Sequence, residues 1–166
     1  MQVQPTVNPF SNESVSAFAA AWFRALDVHA PADECLRLLA DDGLEMVFPE
    51  KTLHGIGDFL AWYAGGNYSD GSSAPGVVNI FFDEVHTLQS VNVEATSDEA
   101  AVEIVVGWQA SWFTPPAAKS LRTSMNATQQ WRLQRASGEK NLYGLEIRSY
   151  NAQLRPFEYA PGFATL

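Results

Sequence analysis

Apolar positions recur at steps of three and four along Val15, Phe18, Ala19, Trp22, Phe23 and Leu26, forming one stripe of a helix that Ser11 or Asn12 can cap. HAPADECLRLLADDG, residues 29–43, predicts a second helix. Pro31 suits its first turn, Asp33 and Glu34 the positive helix start and Gly43 the exit, with Leu36, Leu38, Leu39 and Ala40 buried. LEMVF, residues 44–48, reads as a short strand stopped by Pro49. GIGDFLAWYAGG, residues 55–66, reads as a third short helix ended by Gly65 and Gly66. The linker-like NYSDGSSAPG, residues 67–76, is long enough to predict a mobile segment or a lid.

Beyond it the period changes to two. Long strands are expected from about Val77 to Ala95, Ala100 to Phe113, Leu121 to Arg135 and Asn141 to Asn151, separated by the turn signals TSDE, TPPAAKS and RASGEK. Helices followed by a meander of long strands is an α+β pattern with helices on one face of an antiparallel sheet. Strands this long must bend, and a bent sheet closed by three N-terminal helices makes a cone with an apolar cavity. The expected organisation is an N-terminal arm over residues 1–11, one domain over 12–152 and a C-terminal tail over 153–166.

Composition narrows the class. The 166 residues are 46% hydrophobic and 17% charged, which suits one globular domain with a real core. A net charge of −9, with no run of basic residues, argues against nucleic acid and anionic membranes as partners. No apolar run approaches the roughly 20 residues that span a bilayer. MQVQPTVNPFSNES lacks the basic start and apolar core of a signal peptide, so a cytoplasmic protein is expected. Cys35, the single cysteine, excludes an internal disulfide and reads as a small buried hydrophobe.

Candidate chemistry centres on FFDEVHTLQSV, residues 81–91, where one of three histidines stands mid-strand near two carboxylates. Strict alternation puts Phe82, Glu84, His86 and Leu88 on one face and Asp83 on the other. Histidine is suited to proton transfer near neutral pH, so a cavity face would make His86 acid–base equipment. Asp27, after the first apolar stripe, either closes the turn between helices or orients His86. Glu45 alternates with Leu44 and Met46 and faces either a cavity or solvent. His54 reads as a capping or surface residue and His29 as an exposed turn residue. The three histidines lack compact metal-ligand spacing, and there is no phosphate loop or nucleophile elbow; neither a metal nor a cofactor is expected. Aromatic side chains are plentiful. Trp22, Trp62, Tyr63, Trp108, Trp112 and Trp131 suit either core packing or the walls of a site for a flat apolar ligand.

In this order, ALDVHAPADECLRLLADDGLEMVFP, LHGIGDFLAWY, HTLQSV and QQWRLQR resemble the nuclear transport factor 2-like superfamily, in its SnoaL-like, ketosteroid isomerase and scytalone dehydratase branch, over about residues 12–151. The resemblance implies a curved sheet wrapped on three helices, a deep pocket and a homodimer. It assigns Asp27 and His86 to the positions of the acid–base residues of scytalone dehydratase-like members. Two departures stand out. Phe48 occupies the place, before Pro49, of the catalytic Asp of ketosteroid isomerase-like members. VVGWQASW carries Trp108 and Trp112 where a second histidine is expected.

The function this implies is cofactor-free isomerisation, dehydration or cyclisation of a hydrophobic carbonyl-bearing small molecule. His86 and Asp27 would be catalytic, and Trp22, Glu45, Phe48, Trp62, Tyr63, Trp108, Trp112, Met125 and Trp131 would bind the substrate. Two alternatives share the fold: a non-catalytic ligand-binding or dimerisation module, and the small subunit of a ring-hydroxylating oxygenase. The outer face of the long strands is the expected dimer surface, because AVEIVVGWQASWF is apolar on both faces.

Overall fold

The computed structural model describes residues 8–166. Most of the arm expected over residues 1–11 therefore lies outside the described residues; of the remainder, Phe10 is already in the core. Helix α1, Asn12–Asp27, begins where the Ser11 side chain accepts a hydrogen bond from the Ser14 amide, and its six expected apolar positions are all buried. It ends in a Schellman cap. The His29 amide bonds to the Leu26 carbonyl, the Ala30 amide bonds to the Ala25 carbonyl, and His29 itself takes φ 50°.

The second helix is shorter than its apolar pattern suggests. α2 covers only Ala32–Leu36, because the chain then leaves the helix to pair with the sheet: Ile147 donates to the Leu38 carbonyl and Ala40 donates to the Ile147 carbonyl. Strand β1 is Glu45–Val47, and an unexpected β2, Thr52–His54, pairs antiparallel with it. α3 is Gly55–Ala64.

Residues 67–76 form no free linker. They carry a hairpin of β3, Gly66–Asn67, and β4, Ser73–Ala74. Buried Asp58 pins it by accepting from the Ser69 amide (2.7 Å) and hydroxyl (3.0 Å). A salt bridge joins Lys51 to Asp70 across its tip. Gly76, at φ 90°, packs against the end of α3 so closely that a Cβ would lie 2.5 Å from the Ala64 carbonyl carbon. A one-turn helix, α4 at Val77–Ile80, stands where the first long strand was expected to start.

The long strands are β5, Phe81–Ala95, β6, Glu99–Trp112, and β7, Leu121–Arg135, followed by the shorter β8, Leu145–Asn151. The sheet order is β2-β1-β8-β7-β6-β5, antiparallel throughout except that β1 runs parallel to β8. After β8 the chain follows the free edge of β7. There β9, Glu158–Tyr159, pairs with Met125 and Asn126, and the Ala164 amide bonds to the Arg122 carbonyl. This is an α+β cone: the alternate residues Val102, Ile104 and Val106 of β6 and Met125, Ala127, Trp131 and Leu133 of β7 face inward onto α1 and α3.

Two bulges bend β5. The register steps from Phe82 opposite Ser111 to Val85 opposite Gln109, and again between Leu88 and Ser90. The first bulge corrects the alternation expected from sequence: Phe82 is turned out to solvent, and Phe81 takes the inward place beside Glu84 and His86. Asp83 makes the turn at φ 51°. Arg122 holds it from outside, donating to the Asp83 carbonyl (3.0 Å), the Ser111 hydroxyl (2.9 Å) and the Gln109 side chain (3.3 Å).

Candidate active site

The end of α1 crosses the bulged start of β5, and the crossing assembles four titratable side chains. Asp27, the last residue of α1, takes two hydrogen bonds from one partner. Its Oδ2 accepts the His86 backbone amide at 2.8 Å, and its Oδ1 lies 2.5 Å from His86 Nδ1. The imidazole is held in plane by Phe23, stacked with centroids 4.8 Å apart, and by Trp108 at 6.2 Å on the neighbouring strand. With Nδ1 engaged by the carboxylate, Nε2 is bonded to no described residue, and His86 lines the interior cavity. A carboxylate behind one nitrogen fixes the tautomer and leaves the other nitrogen to accept a proton.

A second imidazole–carboxylate pair stands beside the first. His29 Nε2 lies 2.5 Å from Glu84 Oε2, and the other Glu84 oxygen accepts the Trp108 indole N–H at 3.3 Å. The turn after α1 was expected to leave His29 exposed. Instead the left-handed Schellman residue folds its ring back toward β5, leaving the side chain 29% exposed. This pairing was not legible in the sequence, although a histidine where glycine is customary was a signal.

The cavity has a volume of about 560 Å³. His86, Glu84 and His29 stand at one end. Phe48, Trp62, Tyr63, Trp108 and Met125, all expected to contact substrate, form its walls. Phe48 stacks on Trp62 (4.4 Å) and so presents an aromatic face where an isomerase-like carboxylate would stand. Gln129, Tyr150 and the C-terminal residues Phe157 and Tyr159 complete the lining and were not foreseen. Burial pushes the Tyr150 phenol up to about 12 and, with Cys35 nearby, raises that of Tyr63 further. Both phenols therefore keep their protons at neutral pH. Tyr63 donates to the Ala30 carbonyl at 2.5 Å, so the proton-accepting work falls to the histidines.

Four expected contact residues lie elsewhere. Trp22 and Trp131 are fully buried in the core: Trp22 donates to the Tyr150 hydroxyl, and Trp131 donates to Gln129 behind the cavity wall. Glu45 projects outward from a three-residue strand whose inward position is Met46, and its carboxylate lies 3.9 Å from the exposed His54 ring. Trp112 packs edge-on against Phe81 at the far end of β6, outside the cavity lining.

Outside the four-residue crossing lies an open cleft bordered by Asp27, His29, Glu84, Phe82, Ser111 and Arg122. His29 and Glu84 line both spaces, so the crossing stands between the cavity and the outer cleft.

No protein-family model and no curated protein matches the chain. Solved structures do. Hexachlorocyclohexane dehydrochlorinase LinA-type3 from Novosphingobium barchaimii is similar with a TM-score of 0.59 and 13% identity, over 93% of this chain and 92% of that one. A candidate scytalone dehydratase from Novosphingobium aromaticivorans gives 0.64 and 12%, over 92% and 94%. A nuclear transport factor 2-like superfamily protein from Salmonella enterica gives 0.61 and 10%, over 93% and 96%. At such identities the likeness is one of fold, and it runs through nearly the whole of each chain. The chain has the cone fold of the nuclear transport factor 2-like superfamily.

Proposed function

We propose that the protein is a lyase for hydrophobic, carbonyl-bearing small molecules, acting by proton abstraction with its own side chains. His86 Nε2 removes the proton from the carbon next to the carbonyl, and Asp27 orients the ring and faces the imidazolium that forms. Loss of a leaving group from the next carbon completes an elimination. The observation that carries this reading is the His86 ring held by Asp27 at 2.5 Å in the lining of a largely apolar cavity, with its other nitrogen unpaired among the described residues. Two solved structures of similar fold bear the names of eliminating enzymes, a dehydrochlorinase and a candidate dehydratase, which supports elimination over isomerisation. Phe48 supports the same choice, because it stands where the carboxylate base of an isomerase-like site would be.

The test is deuterium uptake next to the carbonyl of hydrophobic ketones in heavy water. The protein should catalyse it, and His86→Gln should slow it by about 10²-fold or more, the usual scale for a general base. Equal rates in a folded variant would leave a ligand-binding module instead.

A homodimer belongs to the same proposal, with its surface relocated. The outer faces of β6 and β7 are largely polar, whereas Val28, Phe82, Val85, Phe113 and Leu121 are exposed around the start of β5. Sedimentation should give a dimer at micromolar concentration, and a monomer there would refute it.

A further inference from the structure

We infer that His29 and Glu84 form a second proton-transfer pair, and that His29 protonates the leaving group while His86 acts as base; this rests on the lyase reading above.

The first support is position. Glu84 and His86 are two residues apart on one face of β5, so their Cα atoms are separated by about 7 Å. Both His29 and Glu84 line the cavity that His86 lines.

The second support is that the pair is built at a conformational cost. Among the described residues, His29 and Asp83 are the two non-glycine residues with left-handed backbone, at φ 50° and 51°. His29 places its imidazole against β5, and Asp83 sits in the bulge beside Glu84, which keeps the inward place that alternation gives it. Such outliers concentrate at functional sites because packing elsewhere must hold them. A glycine at position 29 would satisfy the Schellman cap with less strain. Neither fold nor cap requires a histidine there.

The third support is acidity. Tyr63 donates to the Ala30 carbonyl, and Tyr150 accepts the Trp22 indole N–H and has a phenol that burial pushes up to about 12. The Trp62 indole, unpartnered among the described residues, is no acid, so an imidazole is the donor suited to neutral pH. Glu84 has both oxygens bound, one by Trp108 and one by His29, which leaves His29 Nδ1 as the nitrogen able to pass on a proton.

The step balances as follows. His86 Nε2 takes the proton from the carbon beside the carbonyl, and that electron pair becomes the new carbon–carbon double bond. The bond from the adjacent carbon to its hydroxyl breaks, and the oxygen takes the proton of the His29 imidazolium and leaves as water. His86 then carries one extra proton and His29 lacks one. His29 resets by exchange with solvent in the outer cleft, which it borders, and His86 gives up its proton to water entering the cavity as product leaves.

The test uses the full chain and the β-hydroxy ketone made from acetone and benzaldehyde. One sample reads two steps: deuterium uptake beside the carbonyl reports the base, and the absorbance of the conjugated product reports water loss. His29→Asn is the main variant, because asparagine tolerates the left-handed backbone and should fold. It should lose water-forming activity by about 10²-fold while deuterium uptake stays within a few-fold of the unaltered protein. Glu84→Gln should show the same split less severely, and His86→Gln should lose both readouts. Dehydration at an unaltered rate in His29→Asn, or loss of both readouts together in that variant, overturns the inference and leaves the lyase reading standing. An unaltered protein that exchanges this ketone without dehydrating it also overturns the inference. Absence of exchange in the unaltered protein overturns the reading beneath it.

Discussion

Asp27 and Asp58 are built alike and serve differently. Each sits at a helix end and accepts the backbone amide of a strand residue, His86 for Asp27 and His54 for Asp58. The remaining oxygen contacts separate them. Asp27 meets an imidazole whose other nitrogen is free, next to a cavity. Asp58, 3% exposed, meets only the amide and hydroxyl of Ser69, and through them anchors the β3–β4 hairpin. A carboxylate surrounded by donors that cannot lose a proton is scaffold. The same carboxylate placed against a ring that can gain and lose one is chemistry.

Exchanging the two losses gives the largest contrast. His86→Gln should lower kcat by about 10²-fold or more with little change in melting temperature, since its ring packs but supports no backbone. Asp58→Ala should reverse the pattern. Leaving two backbone amides and a hydroxyl without their acceptor costs roughly 2–4 kcal/mol, a fall of about 10 °C measured by thermal denaturation. An Asp58→Ala protein that melts normally would erase the distinction.

A smaller effect sharpens it through pH. Burial alone would raise the Asp58 carboxyl, but the amides of His54 and Ser69 and the Ser69 hydroxyl outweigh burial and hold it below the usual carboxylate range. A depressed value in the folded state means stabilisation that is complete above the unfolded value, about 3.9, and is lost as pH falls through the folded one. In urea melts, the advantage of the unaltered protein over Asp58→Asn should therefore be constant from pH 7 to about 5 and shrink below about pH 4.

Much of the fold was readable because burial imposes periods. The stripe of α1 and the alternation along β6 and β7 are the sequence image of one buried face each, and the structure buries those residues. Short elements were less visible. β2 has three residues, too few to display a period, and α2 stops early because Leu38 and Ala40 find sheet partners. The bulge at Asp83 shifts phase by one residue, which no alternation can announce, so Phe81 and Phe82 exchanged places. Trp22 and Trp131 show a different limit: an aromatic ring in the core and one on a cavity wall follow the same pattern along the chain. Asp27 and His86 were singled out by the family resemblance, and the structure brings them into contact. His29 and Glu84 were separated in the reading because their contact depends on the left-handed backbone that turns His29 back toward β5.

The claim on which the account turns is that Asp27 fixes the His86 ring with Nδ1 protonated and Nε2 free. Two-bond proton–nitrogen correlation spectra of the imidazole-labelled protein, recorded in a pH range where the ring is neutral, read this directly. The unaltered protein should show His86 in the Nδ1–H form, and Asp27→Asn should convert it to a mixture of tautomers or to the Nε2–H form. His86 already in the Nε2–H form in the unaltered protein, or a tautomer that ignores Asp27→Asn, would contradict the account.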